Sequence, residues 1–363
     1  MARRVGLAGL GLIGGSLGMS LVQRGNLEVI GYDISPEVTG AALASGAVTT
    51  AAAALAVLAE AEIIIIATPV SSVLSTIASL SPFLKSGTIV TDTASTKAEI
   101  TASAATMVPP GVYFVGGHPM AGSEKAGLAA ADPYLFENAV YALTTDPPAP
   151  PWVYTELQEV LSCTGAKFIQ MSPAEHDTIA AGISHLPHLV AAALVNTAAA
   201  LNPAHPKTLS LAGGGFRDTT RIAGGNAGLW AEILASNRAS VTAVLATFRA
   251  ELDRLAHALS TGNERDLTDL LNAAKNTRAE IPAKGKGLIG KVEELVVAVQ
   301  DRPGAIKEVL DVLAAEEINV KDIEIMRLRE GEGGTLRLAV EDEKALQRAV
   351  EILTSVGLRA RKR

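Results

Sequence analysis

The sequence predicts an α/β chain in three parts: a parallel sheet wound with helices over 1–171, an all-α region over 172–283, and a small βαββαβ unit over 291–363 beyond a linker at 284–290. Three observations carry this. Short apolar runs alternate with helical patterns through the first part, as buried parallel strands require. From Ser172-Pro173 to about Ile281 the pattern is helical, with little strand signal. After the basic stretch Lys284-Gly285-Lys286-Gly287 the order becomes βαββαβ, a ferredoxin-like topology.

Composition bounds the function. At 363 residues the chain is long enough for two or three domains. Hydrophobic residues make up 48% and aromatics only 4%, so the apolar mass is aliphatic and suits close helix–sheet packing. A net charge of −7 argues against nucleic acid as a main partner. The one cysteine, Cys163, excludes an intrachain disulfide and a cysteine metal cluster, and fits a reducing compartment. Met1-Ala2-Arg3-Arg4 runs straight into a strand without a signal-peptide pattern. The alanine-rich stretches are broken by polar residues well short of the ~18 residues of a membrane span. A cytoplasmic protein with no membrane partner is expected.

Val5-Gly6-Leu7-Ala8 reads as a buried strand, and Gly9-Leu10-Gly11-Leu12-Ile13-Gly14 opens the helix after it. This is G-x-G-x-x-G between strand and helix. Gly9 allows the tight turn, Gly11 lets the backbone approach a pyrophosphate, and Gly14 lets helix and strand pack closely. The helix start, at Leu12 and Ile13, offers free N–H groups and partial positive charge to phosphates. Glu28–Tyr32 reads as the second strand and ends in Asp33, where a carboxylate takes the adenosine ribose 2′-OH. Together these predict a Rossmann dinucleotide site. NAD is expected over NADP, because Asp33 repels a 2′-phosphate and Ile34-Ser35-Pro36 supplies no arginine.

Ile63–Ala67 is the plainest buried strand, and Thr68-Pro69-Val70 ends it beside the cofactor. Thr88–Thr91 delivers Asp92-Thr93-Ala94-Ser95-Thr96-Lys97, in which Ser95 or Thr96 caps the following helix and Ser95 can also face the site. Val112–Val115 leads into Gly116–Gly127, read as a loop because glycine and proline make poor helix or strand. That stretch carries His118, Ser123, Glu124 and Lys125. Three strand ends, at Thr68, Ser95 and His118, thus aim at one crevice, where open α/β sheets bind ligands.

Ala139–Leu143 and Ala166–Ile169 read as later strands around a proline-rich turn and a helix over about 152–163. In the helical region, His185-Leu186-Pro187-His188 is placed at the start of the apolar helix Leu189–Leu201, with His176 nearby in sequence. The intervening proline and the lack of a further ligand cluster argue against a metal. Gly213–Asn226 sets Arg217, Asp218 and Arg221 among glycines. Guanidinium groups bind carboxylates bidentately, which suits anion capture; the competing reading is a solvated charged turn. In the last unit, Asp301-Arg302-Pro303-Gly304 joins a strand to a helix. Pro303 suits a first helical turn, and Gly304 keeps that turn clear of a side chain. A ligand carboxylate fits the helix N-terminus, an ammonium fits Asp301, and Asn319 adds hydrogen bonds.

Gly9–Ser16, Asp92–Lys97, Gly117–Gly127, Ser184–His188 and Gly215–Trp230 together resemble the prephenate/arogenate dehydrogenase family of tyrosine biosynthesis. Val299–Ile306 and Ile318-Asn319-Val320 look like an ACT domain, an amino-acid-binding regulatory fold. The resemblance covers nearly the whole chain. It implies a helical dimerisation domain, a homodimer, and NAD(P)-dependent oxidation of prephenate with loss of carbon dioxide. By match of motif it makes His118 the catalytic histidine, with Ser95 as its partner. It puts His188 and Arg221 on the substrate, with Ser123 and Glu124 beside them, Glu124 at the cavity entrance. Arg217 stands where some relatives have lysine and keeps the charge. L-tyrosine is the implied effector of the tail.

The chemistry agrees. Prephenate carries a ring alcohol and two carboxylates, so its oxidation needs a hydride acceptor, a group for the hydroxyl proton, and cations. A histidine works near neutral pH; full proton transfer and simple polarisation are both open to His118. Arginines supply the cations, and no metal is required. Arogenate differs only by an amino in place of a keto group, and prephenate is the preferred reading. A different two-domain dehydrogenase is one rival. A non-enzymatic NAD and amino-acid sensor is another, but it leaves His118, Ser95 and Arg221 without a use.

Overall fold

The computed structural model describes residues 3–122, 125–281, 292–329 and 333–362. Ser123, Glu124 and the expected linker at 284–290 lie outside the described residues. The chain forms two compact units, Met1–Gly285 and Lys286–Arg363.

In the first unit six strands build one parallel sheet. They are β1 (Arg4–Ala8), β2 (Glu28–Tyr32), β3 (Thr50–Ala51), β4 (Ile63–Ile66), β5 (Ile89–Asp92) and β6 (Tyr113–Val115). Their order is β3-β2-β1-β4-β5-β6. The order reverses between β1 and β4, which marks the ligand-binding crevice of such sheets. The crossovers include α1 (Leu12–Gln23), α2 (Pro36–Ala44), α3 (Val70–Leu80) and α4 (Ala98–Met107). β4 shows why an all-isoleucine strand suits the centre. Ile63 and Ile65 pack with Leu7, Leu17 and Leu21, while Ile64 and Ile66 pack with Val73, Ile77 and Ile100. Successive side chains thus fill the cores on opposite faces, each contributing about 1.5–3 kcal/mol.

The stretch after β6 is not wholly loop. It contains β7 (Gly117–Pro119), which pairs antiparallel with β8 (Val140–Thr144) and sets His118 opposite Ala142. β8 pairs in parallel with β9 (Lys167–Met171), and α5 (Pro151–Leu161) connects the two. Glycine and proline are tolerated in β7 because it is short and lies at the sheet edge.

Beyond β9 the unit is helical: α6 (Pro173–Ala180), α7 (Leu186–Leu201), α8 (Gly214–Thr220), α9 (Ala227–Ser236), α10 (Arg238–Ser260) and α11 (Glu264–Glu280). The sequence places His185–His188 at a helix start, but α6 and α7 are one helix joined by a π-helical turn at Ala181–His185. Pro187 offers no N–H to the carbonyl four residues back, and its ring crowds that carbonyl. The π turn widens the helix there and takes up the mismatch. Pro173–Leu201 is 29 residues, long and apolar enough to cross a membrane by length and composition. His176, Asp177, His185 and His188 on this helix are nevertheless buried, while Ile179, Ile183, Leu194 and Leu201 are exposed. Asp177 is bonded to the start of α4, so the helix packs against the parallel-sheet layer.

The second unit comprises β10 (Glu293–Val299), α12 (Ala305–Ala315), β11 (Val320–Arg329), β12 (Gly333–Val340), α13 (Glu343–Ser355) and β13 (Ala360–Lys362). Its antiparallel sheet runs β11-β12-β10-β13. Leu295, Val297, Leu336 and Leu338 pack with Val309, Leu313, Leu346 and Leu353 from the two helices. Buried Arg337 ties strands together through Asp322, Glu324 and Glu294. Pro303 is not in the first turn of α12, which begins at Ala305. Gly304 precedes it at φ +89°, a left-handed conformation that favours glycine for its backbone as well as for clearance.

Candidate active site

The glycine loop between β1 and α1 is shaped by contact. Gly9 has φ +88°, and a Cβ on it would lie 2.6 Å from the Ala67 carbonyl oxygen. A Cβ on Gly14 would lie 1.9 Å from the Gly9 carbonyl oxygen. A Cβ on Gly11 would meet nothing within 4 Å, so the loop opens outward there. No side chain caps α1 at Gly11, which leaves the start of the helix at Leu12 and Ile13 for an anion. Asp33, just past β2, accepts the Leu10 N–H at 2.8 Å and the Ser35 N–H at 3.0 Å, which holds its carboxylate against the loop. Thr68, just past β4, has a buried hydroxyl with no hydrogen-bond partner among the described residues. Open loop, uncapped helix, placed carboxylate and orphaned hydroxyl fit a dinucleotide.

Two strands over, buried charge organises the second half of the site. Lys97 and Asp92 are both fully buried and form an ion pair. Asp92 also accepts the Ala94 N–H at 3.0 Å and the Gly117 N–H at 3.1 Å, which pins β7 to the end of β5. Desolvation pulls the Lys97 pKa down despite Asp92 and Asp177. Ser95 and Thr96 do not cap α4. The cap is Asp177 of α6, whose carboxylate accepts the Lys97 N–H at 2.7 Å and the Ala98 N–H at 2.8 Å. Thr96 instead bonds Ser236 of α9 at 3.0 Å.

His118 is buried, and its Nδ1 lies 2.8 Å from Nε2 of His176. His176 Nδ1 lies 2.8 Å from the Asp177 carboxylate. The Nδ1 partner of His118 is therefore His176; Ser95 makes no hydrogen bond to it among the described residues. In the tautomer that puts His176 Nδ1–H on the carboxylate, His176 Nε2 accepts from His118 Nδ1–H. That leaves His118 Nε2 with a lone pair. Desolvation holds His118 well below the usual histidine range, helped by His176, Lys97 and His185. Burial opposes the charge of Asp177, but bonds from His176, Ala98 and Lys97 outweigh it and hold its carboxyl below the usual range.

His185, in the π turn, meets the Asn237 side-chain amide at 3.2 Å through Nδ1, and that amide donates to the Asp177 carbonyl at 2.7 Å. Burial takes the His185 pKa to about 4, and its buried Nε2 has no partner among the described residues. His188 stacks on Trp230 at 3.7 Å, and its buried Nδ1 likewise lacks a partner there. Burial also lowers the His188 pKa. Arg217 lies on helix α8 rather than in a glycine turn, and Arg221 begins the helical turn after it; both are exposed. The sequence reading missed Asp177, His176 and Asn237 as site residues. The adjacent His176-Asp177 pair, on a helix opening at Ser172-Pro173 straight after the last strand, was the available signal.

The profile for the prephenate dehydrogenase nucleotide-binding domain matches residues 17–170, and that for its dimerization domain matches 172–273. The chain belongs to the prephenate dehydrogenase family. The ACT domain profile matches residues 294–358. Prephenate dehydrogenase of Bacillus subtilis (strain 168) is 37% identical over 350 residues, 96% of this chain and 94% of that protein. Among solved structures, Synechocystis arogenate dehydrogenase is 35% identical with a TM-score of 0.69, over 77% of this chain and 99% of that one. Prephenate dehydrogenase from A. aeolicus, solved with hydroxyphenyl propionate and NAD+, is 30% identical with a TM-score of 0.72, over the same shares. Family membership makes the chain a dehydrogenase with a nucleotide-binding domain, which fits the loop geometry above.

Proposed function

We propose that this member of the family oxidises prephenate with NAD, releasing carbon dioxide and 4-hydroxyphenylpyruvate. The observation that carries the reading is His118, a buried imidazole whose Nδ1 is taken by His176, set on the strand bonded to the end of β5. Bound NAD supplies the hydride acceptor, held by Gly9, Gly11, Leu12, Ile13, Gly14, Asp33 and Thr68. His118 accepts the ring-hydroxyl proton as the carbinol carbon is oxidised. The new ketone is conjugated to the carbon bearing the ring carboxylate, so that carboxylate leaves as carbon dioxide and the ring aromatises. Arg221 and Arg217 hold carboxylates, His188 contacts the substrate and Ser95 lines the site; Ser123 and Glu124, outside the described residues, are the remaining expected substrate contacts. A cytoplasmic location belongs to the same reading.

The test is an absorbance assay for reduced cofactor, with prephenate and arogenate in parallel and NAD against NADP. We expect prephenate with NAD to give the highest kcat/KM. NADP should fall at least about tenfold behind, which is about 1.4 kcal/mol of discrimination, through repulsion at Asp33. Faster turnover of arogenate would move the substrate to the one named for the Synechocystis relative. No reduced cofactor with either substrate would overturn the reading.

The exposed apolar side chains Ile179, Ile183, Leu194, Leu201, Leu229 and Leu252 lie on the helical region, which fits a homodimer through the family's dimerization domain. A stable monomer in sedimentation at micromolar concentration would refute it. The ACT tail fits an amino-acid effector, and L-tyrosine, which shares the product's phenol ring, is our reading. Asp301, Pro303, Gly304 and Asn319 are the proposed contacts, around the start of α12, which no side chain caps. Truncation near Gly290 should abolish inhibition by L-tyrosine while sparing activity. Unchanged inhibition would move tyrosine to the active site.

A further inference from the structure

We propose that His176 and Asp177 form a two-imidazole relay behind His118, fixing its ring and receiving the positive charge when its Nε2 takes the substrate proton. The proposal rests on the reading of His118 given above. Three groups stand in line: the Asp177 carboxylate, His176 at 2.8 Å from it, and His118 at 2.8 Å from His176. All three side chains are buried. Asp177 is itself fixed, because it caps α4 through two backbone N–H groups. The line therefore runs from the helical layer into the strand that carries His118, and docking of α6 sets the angle of the base.

The proton count closes. The substrate O–H breaks as the His118 Nε2–H bond forms. The His118 Nδ1–H bond then breaks as the His176 Nε2–H bond forms, and His176 keeps its Nδ1–H on Asp177. The imidazolium thus sits against a carboxylate rather than beside Lys97, and His118 is neutral again with its proton on Nε2. Loss of carbon dioxide leaves a phenolate on the ring. Its oxygen takes the Nε2 proton back from His118 as the His176 Nε2 proton returns to His118 Nδ1, so the product leaves as the phenol and the starting tautomer is restored. A buried charge needs a partner, and His118 faces Lys97, His176 and His185, none of them anionic. His176 has Asp177. Residues that hold the far nitrogen of an active-site imidazole fix its tautomer and orientation.

His176→Gln separates this role from a structural one, because a glutamine oxygen can accept from His118 Nδ1–H but cannot take its proton. We expect kcat to fall at least about tenfold with KM little changed. The acidic limb of kcat/KM should move to lower pH. In the variant the positive charge has no path to Asp177 and stays on His118, where burial, Lys97 and His185 disfavour it. His176→Leu, which also loses the orienting acceptor, should fall further. On the unaltered protein, the solvent deuterium dependence of kcat/KM should bow below a straight line, as two moving protons require. A linear or flat dependence overturns the relay, and so does a His176→Gln enzyme with unchanged kcat and pH profile. If His118→Asn is impaired while His176→Gln is not, the relay alone falls. If His118→Asn also keeps its kcat, the reading of the site falls with it.

Discussion

His118→Asn lowers kcat by about 10²–10⁴ and leaves KM for the substrate little changed, while Arg221→Ala does the reverse. The contrast follows from what each group does. On the proposed reading the imidazole acts on the proton that moves in the transition state, and positioned acid–base groups contribute factors of this size. Arg221 on that reading holds a carboxylate before and after the step, so its loss would be a loss of binding. A charge-assisted hydrogen bond contributes about 1.5–3 kcal/mol, or roughly 10–150-fold in KM. The pH profile adds a signed expectation. His118 must be neutral to accept a proton, and burial holds its pKa well below the ordinary histidine value. The rate should therefore stay level as pH falls through the usual histidine range and drop only below it. Steady-state kinetics of both variants between acid and neutral pH measure all of this. Near-full kcat in His118→Asn would show that β7 does not carry the base.

How far the sequence could be read depended on the range of the interaction. The strands β1, β4 and β5 are legible because a strand buried on both faces must be apolar at every position, as Ile63–Ile66 are. The glycine loop is legible because its main constraints are local: Gly9 takes φ +88°, and a Cβ on Gly14 would strike the Gly9 carbonyl oxygen. The failures share a different cause. Ser95 and Thr96 are good caps by residue type, but Asp177 reaches the same N–H groups from 80 residues on. A tertiary partner with a full charge displaced the local one. Pro187 reads as a helix start because proline favours the first turn, yet a π turn lets a helix pass through it. The sequence singles out His118 as the candidate base but not the neighbour at its Nδ1, His176. The choice between Ser95 and His176 depends on how α6 docks, and no local pattern encodes that.

Asp92→Ala is expected to destabilise the first unit by about 3–5 kcal/mol, the usual result of stripping one partner from a buried ion pair. Both groups are fully buried, so the Lys97 ammonium left behind has neither water nor its counterion. The Ala94 and Gly117 N–H groups lose their acceptor as well. Asp177 stays near Lys97 but is committed to the start of α4 and to His176. The deficit should narrow as pH rises towards the ordinary lysine value. A lysine whose folded pKa is depressed is destabilising while protonated, and folding gains as that proton is lost. The second substitution decides the cause. Asp92→Ala with Lys97→Met removes the stranded charge and fills the space with an apolar chain, so it should recover much of the stability lost in the single variant. Urea midpoints for the wild type, both single variants and the double variant give the coupling directly. Additive effects would mean that Asp92 stabilises through Ala94 and Gly117 rather than through Lys97. Activity separates the two functions of Asp92. Its bond to Gly117 sets the strand on which His118 stands, so the double variant should regain stability without regaining kcat.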